Sequence, residues 1–133
     1  MDQEFSFHSQ ESGTTLNARL VVPEGSAAPH RIVMMVTGDG PKGTKSASWS
    51  NLPPLLAAAG LASFLFDFEG LGYSGGQRRT LTLSKGIDNL RSATHFLRQQ
   101  PWADPTRTCL DRPLEVAVVV PGVSANDQST WDT

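Results

Sequence analysis

Two glycine-rich stretches and one late serine carry the patterns in this sequence that could do chemistry. Gly70-Leu71-Gly72-Tyr73-Ser74-Gly75 spells G-x-G-x-x-G, which cradles a dinucleotide pyrophosphate when a helix begins at once and presents its N-terminal amides. Here Gln77, Arg78, Arg79 and Thr80 come before any helical pattern, and Asp88 lies inside that pattern rather than ending a later strand. No dinucleotide site is expected. Gly38 to Ser46 (GDGPKGTKS) approaches the phosphate loop G-x-x-x-x-G-K-[ST], but Thr44 intervenes between Gly43 and Lys45. That insertion moves the lysine off the phosphates, and Pro41 removes an amide the cradle would use. The run LASFLFDF, with Asp67 near its end, has the form of the acidic strand that accompanies such loops and keeps this nucleotide-binding alternative open. Gly72-Tyr73-Ser74-Gly75-Gly76 reads G-x-S-x-G, the turn that lifts a nucleophilic serine out of a strand straight into a helix. Ser74 lies six residues past Phe68 with no prompt helix, so it reads as a loop residue. Gly122-Val123-Ser124-Ala125-Asn126 is a degenerate version of the same turn, with Asn126 where a glycine is needed, and makes Ser124 the nucleophile candidate.

A serine hydroxyl is a poor nucleophile at neutral pH without a base beside it. The sequence has three histidines. His8 falls in the first hairpin, His30 before a buried strand and His95 within a helix, and each reads as a surface or partly packed residue.

The elements that must position these loops follow from hydrophobic period. Phe5 and Phe7 share a face, as do Leu16, Ala18, Leu20 and Val22, with Gly13 between: a period of two, an antiparallel pair. Pro23 to His30 is a loop, and Ile32 to Val36 (IVMMV) is continuously apolar, as a strand covered on both faces requires. After the first glycine loop comes a short helix with Asn51 as N-cap, Pro53 and Pro54 in its first turn and Gly60 as its stop. Leu61 to Phe68 is a second buried strand. The second glycine loop then leads to a helix with Leu83, Ile87, Leu90, Thr94 and Leu97 on its apolar face. Pro101 to Pro105 breaks that helix, and Thr106 to Leu110 is a weak third strand. Strand and helix alternate, so the fold class is α/β: an antiparallel leading hairpin followed by parallel βαβαβ in three α/β/α layers. Ligands gather at the carboxyl ends of such strands, where both glycine loops lie.

Composition bounds the rest. The 133 residues make one domain at most, with 38 per cent apolar residues and a formal net charge of −2. That charge gives no reason to expect nucleic acid or an anionic membrane as partner. Cys109 is the lone cysteine, which excludes an internal disulfide and a multi-cysteine metal site. The start, MDQEFSFHSQESG, lacks the basic and apolar regions of a signal peptide, and no apolar run reaches the roughly 20 residues that span a bilayer. A cytoplasmic protein is expected.

Taken together, the loops resemble a known family more specifically than any single motif does. Asp67-Phe68-Glu69-Gly70-Leu71-Gly72-Tyr73-Ser74-Gly75-Gly76 is similar to the D-x-x-G-x-G-x-S-x-G loop after the fourth strand of α/β-hydrolases. Thr37-Gly38-Asp39-Gly40 resembles the turn after their third strand, and LLAAAGLASFLFDF their helix–glycine–strand passage. Ser84 to Leu97 followed by Pro-Trp-Ala-Asp-Pro resembles the approach to their fifth strand. The leading pair with GTTLNARLVVPEG resembles the first hairpin of dienelactone-hydrolase-like and serine-aminopeptidase-like members. The resemblance spans residues 1–110, the N-terminal half of such a domain, and leaves 111–133 as an atypical tail.

The resemblance implies serine-type hydrolysis of an ester, amide or related small-molecule acyl substrate, with no cofactor and no metal. It places the oxyanion hole at the backbone amides of Asp39 and Gly40, and gives Gly38, Asp67, Gly70, Gly72 and Ser74 the shaping of the loops. It breaks after Leu110, where Asp111-Arg112-Pro113 stand in place of Gly-x-Ser-x-Gly. Leu114 to Val120 (LEVAVVV) either fills the fifth-strand slot, with Ser124 in the elbow, or resembles the sixth strand across a deletion; a frameshifted tail is the third reading. In either of the last two, a truncated hydrolase with little or no activity is expected, a non-catalytic fragment or pseudoenzyme. An unpaired strand edge in such an incomplete sheet predicts self-association.

Overall fold

The computed structural model of the chain describes residues 2–25, 27–38 and 40–103. Strands β1 (Asp2–His8) and β2 (Thr15–Val21) form the expected antiparallel hairpin, with Phe7 opposite Leu16 and Phe5 opposite Ala18. β2 pairs antiparallel with β4 (Ala62–Phe66), and β4 pairs parallel with β3 (Ile32–Val36). The sheet order is β1-β2-β4-β3. β4, central and buried along its whole length, is shorter than the Leu61 to Phe68 run expected. Asp67 and Phe68 leave the ladder to begin the loop, as the hydrogen bonds below make plain.

Alternation across the sheet sends side chains to two helices on opposite faces. Phe7, Leu16, Ala18, Leu20, Met34, Phe64 and Phe66 pack in one cluster with Ala93, Phe96 and Leu97 of α2 (Leu83–Arg98). Met35 and Leu65 point the other way, with Trp49, toward Leu52 and Leu56 of α1 (Leu52–Ala58). Three layers result, two helices enclosing a mixed sheet. Phe7 and Phe96 stack with ring centroids 5.3 Å apart, joining the hairpin to α2.

The start of α1 rests on proline geometry more than on a cap. Asn51 occupies the N-cap position, but its backbone is already helical and its side chain makes no capping bond. Pro53 and Pro54 supply a preset φ at positions whose amides need no helical partner. Gly60, at φ +82°, ends the helix as expected.

The face of α2 differs from the one its apolar residues suggest. Leu83 and Ile87 are 45% and 42% exposed, while Gly86, Asp88, Asn89, Ser92, Ala93 and Leu97 are buried. Polar residues win this face because each meets a specific partner. The Ser9 hydroxyl donates to the Asp88 carboxylate, and the Gln10 amide donates to the Ser92 hydroxyl at 2.9 Å. The Asn89 side chain exchanges two hydrogen bonds with Glu69, at 2.8 and 2.9 Å. A glycine and an alanine then let the helix approach closely. Periodicity counts apolar residues and cannot see this.

Beyond α2 the chain turns back to β3. The His30 amide donates to the Trp102 carbonyl at 2.7 Å, and His30 and Ala103 form a parallel bridge. Thr106 to Leu110 and Leu114 to Val120, the remaining expected strands, lie outside the described residues, as does the division at residue 110. No described helix is long and apolar enough to cross a membrane.

Candidate functional site

Both glycine loops emerge at the carboxyl ends of the parallel pair β3 and β4, and a buried carboxylate ties them together. Asp67, just past β4, is fully buried. Its Oδ2 accepts from the Asn17 side-chain amide and from the Tyr73 backbone N–H, each at 3.1 Å, and its Oδ1 accepts from the Thr37 hydroxyl. Thr37 follows β3, so a residue of each loop converges on one carboxyl group. A Cβ at Gly43 would lie 2.4 Å from Asp67 Oδ1, and one at Gly72 would lie 2.5 Å from Asp67 Oδ2. Glycine is needed at both positions for the loops to close on this carboxylate.

Asn17 is the residue that sequence reasoning missed. Its side-chain N–H groups donate to the Thr44 hydroxyl at 3.0 Å as well as to Asp67, so β2 braces both loops from below. The only signal was a polar amide inside a strand, where asparagine is disfavoured. Arg19, two residues on, donates to the Thr44 carbonyl at 3.0 Å and holds Asp2 in a forked ion pair, at 2.6 Å for its closest contact.

Ser74 is engaged as a strut. Its hydroxyl donates to the Asp67 carbonyl at 2.6 Å and accepts from the Asn17 backbone N–H at 2.9 Å. α2 starts nine positions later, at Leu83, so neither G-x-S-x-G nor G-x-G-x-x-G here runs from a strand directly into a helix.

The phosphate-loop alternative fails on geometry. A phosphate loop leads into an α-helix whose amides face the anion. Here Gly43–Lys45 and Ala47–Trp49 are single 3₁₀ turns. Lys45 pairs with Glu4 at 2.9 Å and lies over the Tyr73 ring at 4.8 Å. The hydrogen bond and charge of Glu4 raise the Lys45 pKa above its usual value. Its ammonium is held by the hairpin carboxylate of Glu4, away from the position a phosphate-loop lysine takes.

Between the loops lies an open groove of about 550 Å³, lined by Gly40 and Pro41 from the β3 loop, Gly70, Leu71 and Gly72 from the β4 loop, and Arg78. Gly40 is exposed there, with nothing within 4 Å of where a Cβ would stand. Gly38 is half-buried behind it. Asp39 and Ser124 lie outside the described residues. None of the three histidines lines this groove. His8 and His95 flank a different one, of about 250 Å³ between β1 and α2, while His30 is buried beside the Ala103 bridge. Among the described residues no three histidine, cysteine or carboxylate side chains gather as metal ligands.

No protein-family model and no curated protein matches the chain. Solved structures do. Est1E from Butyrivibrio proteoclasticus, in a structure with ferulic acid bound, matches with a TM-score of 0.67 at 20% identity, over 75% of this chain and 39% of that one. The α/β hydrolase GrgF from Penicillium sp. sh18 matches with a TM-score of 0.63 at 18% identity, over 81% and 36%. The esterase domain of a Rhodothermus marinus protein matches with a TM-score of 0.54 at 24% identity, over 77% and 37%. The chain therefore spans well under half the length of the structures it resembles. At these identities the likeness establishes the fold, that of the N-terminal part of an α/β hydrolase.

Proposed function

We propose that the β3 and β4 loops form the acyl-binding, oxyanion-stabilising side of a serine-type hydrolase site for an ester, amide or related acyl substrate. One observation carries this reading: an open groove at the carboxyl edge of a parallel pair, walled by two glycine turns. The hydrolases and esterases among the similar structures support it. In the proposed step, a serine oxygen attacks the acyl carbon as its proton passes to water, and the C=O electron pair moves onto the carbonyl oxygen. The return of that pair expels the alcohol or amine, which takes up a proton from water. Backbone N–H groups of Asp39 and Gly40 donate to the carbonyl oxygen. Such a fixed donor lowers the barrier by about 3 kcal/mol, because it needs no reorientation as the charge appears. The Asp39 carboxylate must then point away from the developing anion. Ser124 is the proposed nucleophile, and no metal or cofactor enters the step.

The histidines limit the rate. With none lining the groove, the serine proton has no imidazole acceptor there, and turnover should stay far below that of a complete triad. The same observation favours the second reading, a non-catalytic protein of hydrolase fold.

Hydrolysis of p-nitrophenyl butyrate by the full chain decides between them. The first reading expects turnover above the buffer rate that falls to it in Gly40→Pro, which deletes one amide donor, with the circular dichroism spectrum kept. A wild-type rate equal to buffer, or a Gly40→Pro rate equal to wild type, sinks it. Fluorophosphonate labelling lost in Ser124→Ala would assign the nucleophile.

A further inference from the structure

We infer that the free edge of β1 is an interaction surface for a second copy of this chain, the two edges pairing antiparallel about a twofold axis at Phe5. Nothing in this depends on the hydrolase reading. β1 is the outer strand of the described sheet. The far edge differs, since Ala103 bridges there to His30, just before β3. The ladder with β2 fixes which backbone groups face outward, because alternate residues of an antiparallel strand turn their N–H and C=O to one neighbour. The Ser9 N–H donates to the Thr14 carbonyl at 2.9 Å, so Phe7, Phe5 and Gln3, at steps of two along the register, face β2. The Asp67 N–H on the Asn17 carbonyl, at 3.0 Å, agrees: it turns Asn17 to β4 and leaves Leu16 and Ala18 to β1. Glu4, Ser6 and His8 therefore turn their N–H and C=O away from the sheet, and no backbone group among the described residues meets them.

Edge strands are commonly guarded against pairing by lysine, proline, a bulge or unpaired charge. β1 reads DQEFSFH, with neither lysine nor proline, and its register to β2 is unbroken from Asp2 to His8. Its two carboxylates are neutralised within the chain, Asp2 by Arg19 at 2.6 Å and Glu4 by Lys45 at 2.9 Å. A second copy must bring outward residues to outward residues. A twofold axis at Glu4 would set two Glu4 carboxylates opposite each other. An axis at Ser6 would call on Gln10, whose N–H already donates to Ser92. An axis at Phe5 sets Glu4 opposite Ser6 and Asp2 opposite His8, a favourable pair, and uses the whole strand. Phe5, half-buried in the single chain, then meets its own copy on the α2 side of the sheet, beside the groove that Phe7 and Phe96 line.

Sedimentation equilibrium of the full chain across a dilution series should show monomer and dimer. Ser6→Pro should abolish the dimer and keep the circular dichroism spectrum, because the N–H it removes faces the partner and not β2. His8→Asp, which opposes two carboxylates at each end of the ladder, should weaken the dimer about tenfold. Amide exchange of the unsubstituted chain, read by NMR, needs no variant. Glu4, Ser6 and His8 should be protected in the dimer and lose that protection on dilution, while Phe5 and Phe7 stay protected throughout. A monomer at every concentration, an assembly that survives in a folded Ser6→Pro chain, or a His8→Asp dimer as tight as wild type overturns the inference. Slow exchange of Glu4, Ser6 and His8 in a monomer also overturns it, and assigns the edge to residues 104–133 of the same chain.

Discussion

The Asp67 carboxylate accepts hydrogen bonds from the Asn17 side chain, the Thr37 hydroxyl and the Tyr73 backbone N–H. Replacing it with asparagine keeps the size but turns one acceptor oxygen into an amide NH2, a donor. That NH2 group would face either the Asn17 and Tyr73 N–H donors, which would lose their acceptor, or the Thr37 hydroxyl, which would have to turn to accept it. In both cases the acceptor charge is lost. The expected loss for Asp67→Asn is about 1–3 kcal/mol, read as a lower urea midpoint. An unchanged midpoint would mean the two loops do not depend on this carboxylate. Ser63 poses the opposite case. Its hydroxyl is fully buried in β4 and has no hydrogen-bond partner among the described residues. Folding strips its water and returns nothing, so Ser63→Ala should be neutral or stabilising, by up to about 1 kcal/mol. A clear loss of stability in that variant would show that the hydroxyl has a role its surroundings do not reveal.

At the scale of elements, strands were easier to read than the helix face. A strand of period two, such as Leu16 to Val22, or a continuous run such as Ile32 to Val36, leaves one pattern compatible with burial. A helix between a sheet and two polar turns has another choice, because a buried polar residue with a fitted partner can replace an apolar one. Asp88, Asn89 and Ser92 take that choice, and their partners Ser9, Gln10 and Glu69 are distant in sequence. The loops were legible for a related reason: Gly70, Gly72 and Asp67 form a local pattern. Asn17, fifty residues before Asp67, lay beyond any local motif. The revised face makes a contrast that measurement can settle. Ile87→Lys, on the exposed side, should shift stability by no more than about 0.5 kcal/mol. Leu97→Ala, fully buried, should cost about 2–5 kcal/mol. If the two cost the same in urea unfolding, the orientation of α2 is wrong.

At the scale of the whole molecule, apolar packing and charged contacts join the hairpin to the parallel pair alongside the β2–β4 ladder. The apolar clusters on the sheet's two faces do not titrate and act at every pH. Outside them, Arg19 links Asp2 of β1 to the Thr44 carbonyl of the β3 loop, and Lys45 links that loop to Glu4. The Arg19 hydrogen bond, opposed by partial burial and aided by its charge, holds the Asp2 carboxyl below its ordinary 3.8. A depressed carboxyl pKa stabilises the fold above the unfolded-state value, and that contribution disappears as pH falls through the folded value. The acid limb of stability should therefore carry an Asp2 component below about pH 4. Because the Asp2 side chain is 51% exposed, solvent screening limits the component to under about 1 kcal/mol. Arg19→Leu removes the partner, so its urea midpoint should trail wild type at pH 7 and converge on it near pH 2. Salt should shrink the pH 7 difference, since an exposed pair is screened. A difference that persists undiminished at pH 2 would instead trace the contribution of Arg19 to its bond with Thr44, and the hairpin would then be fastened to the site through that carbonyl rather than through charge.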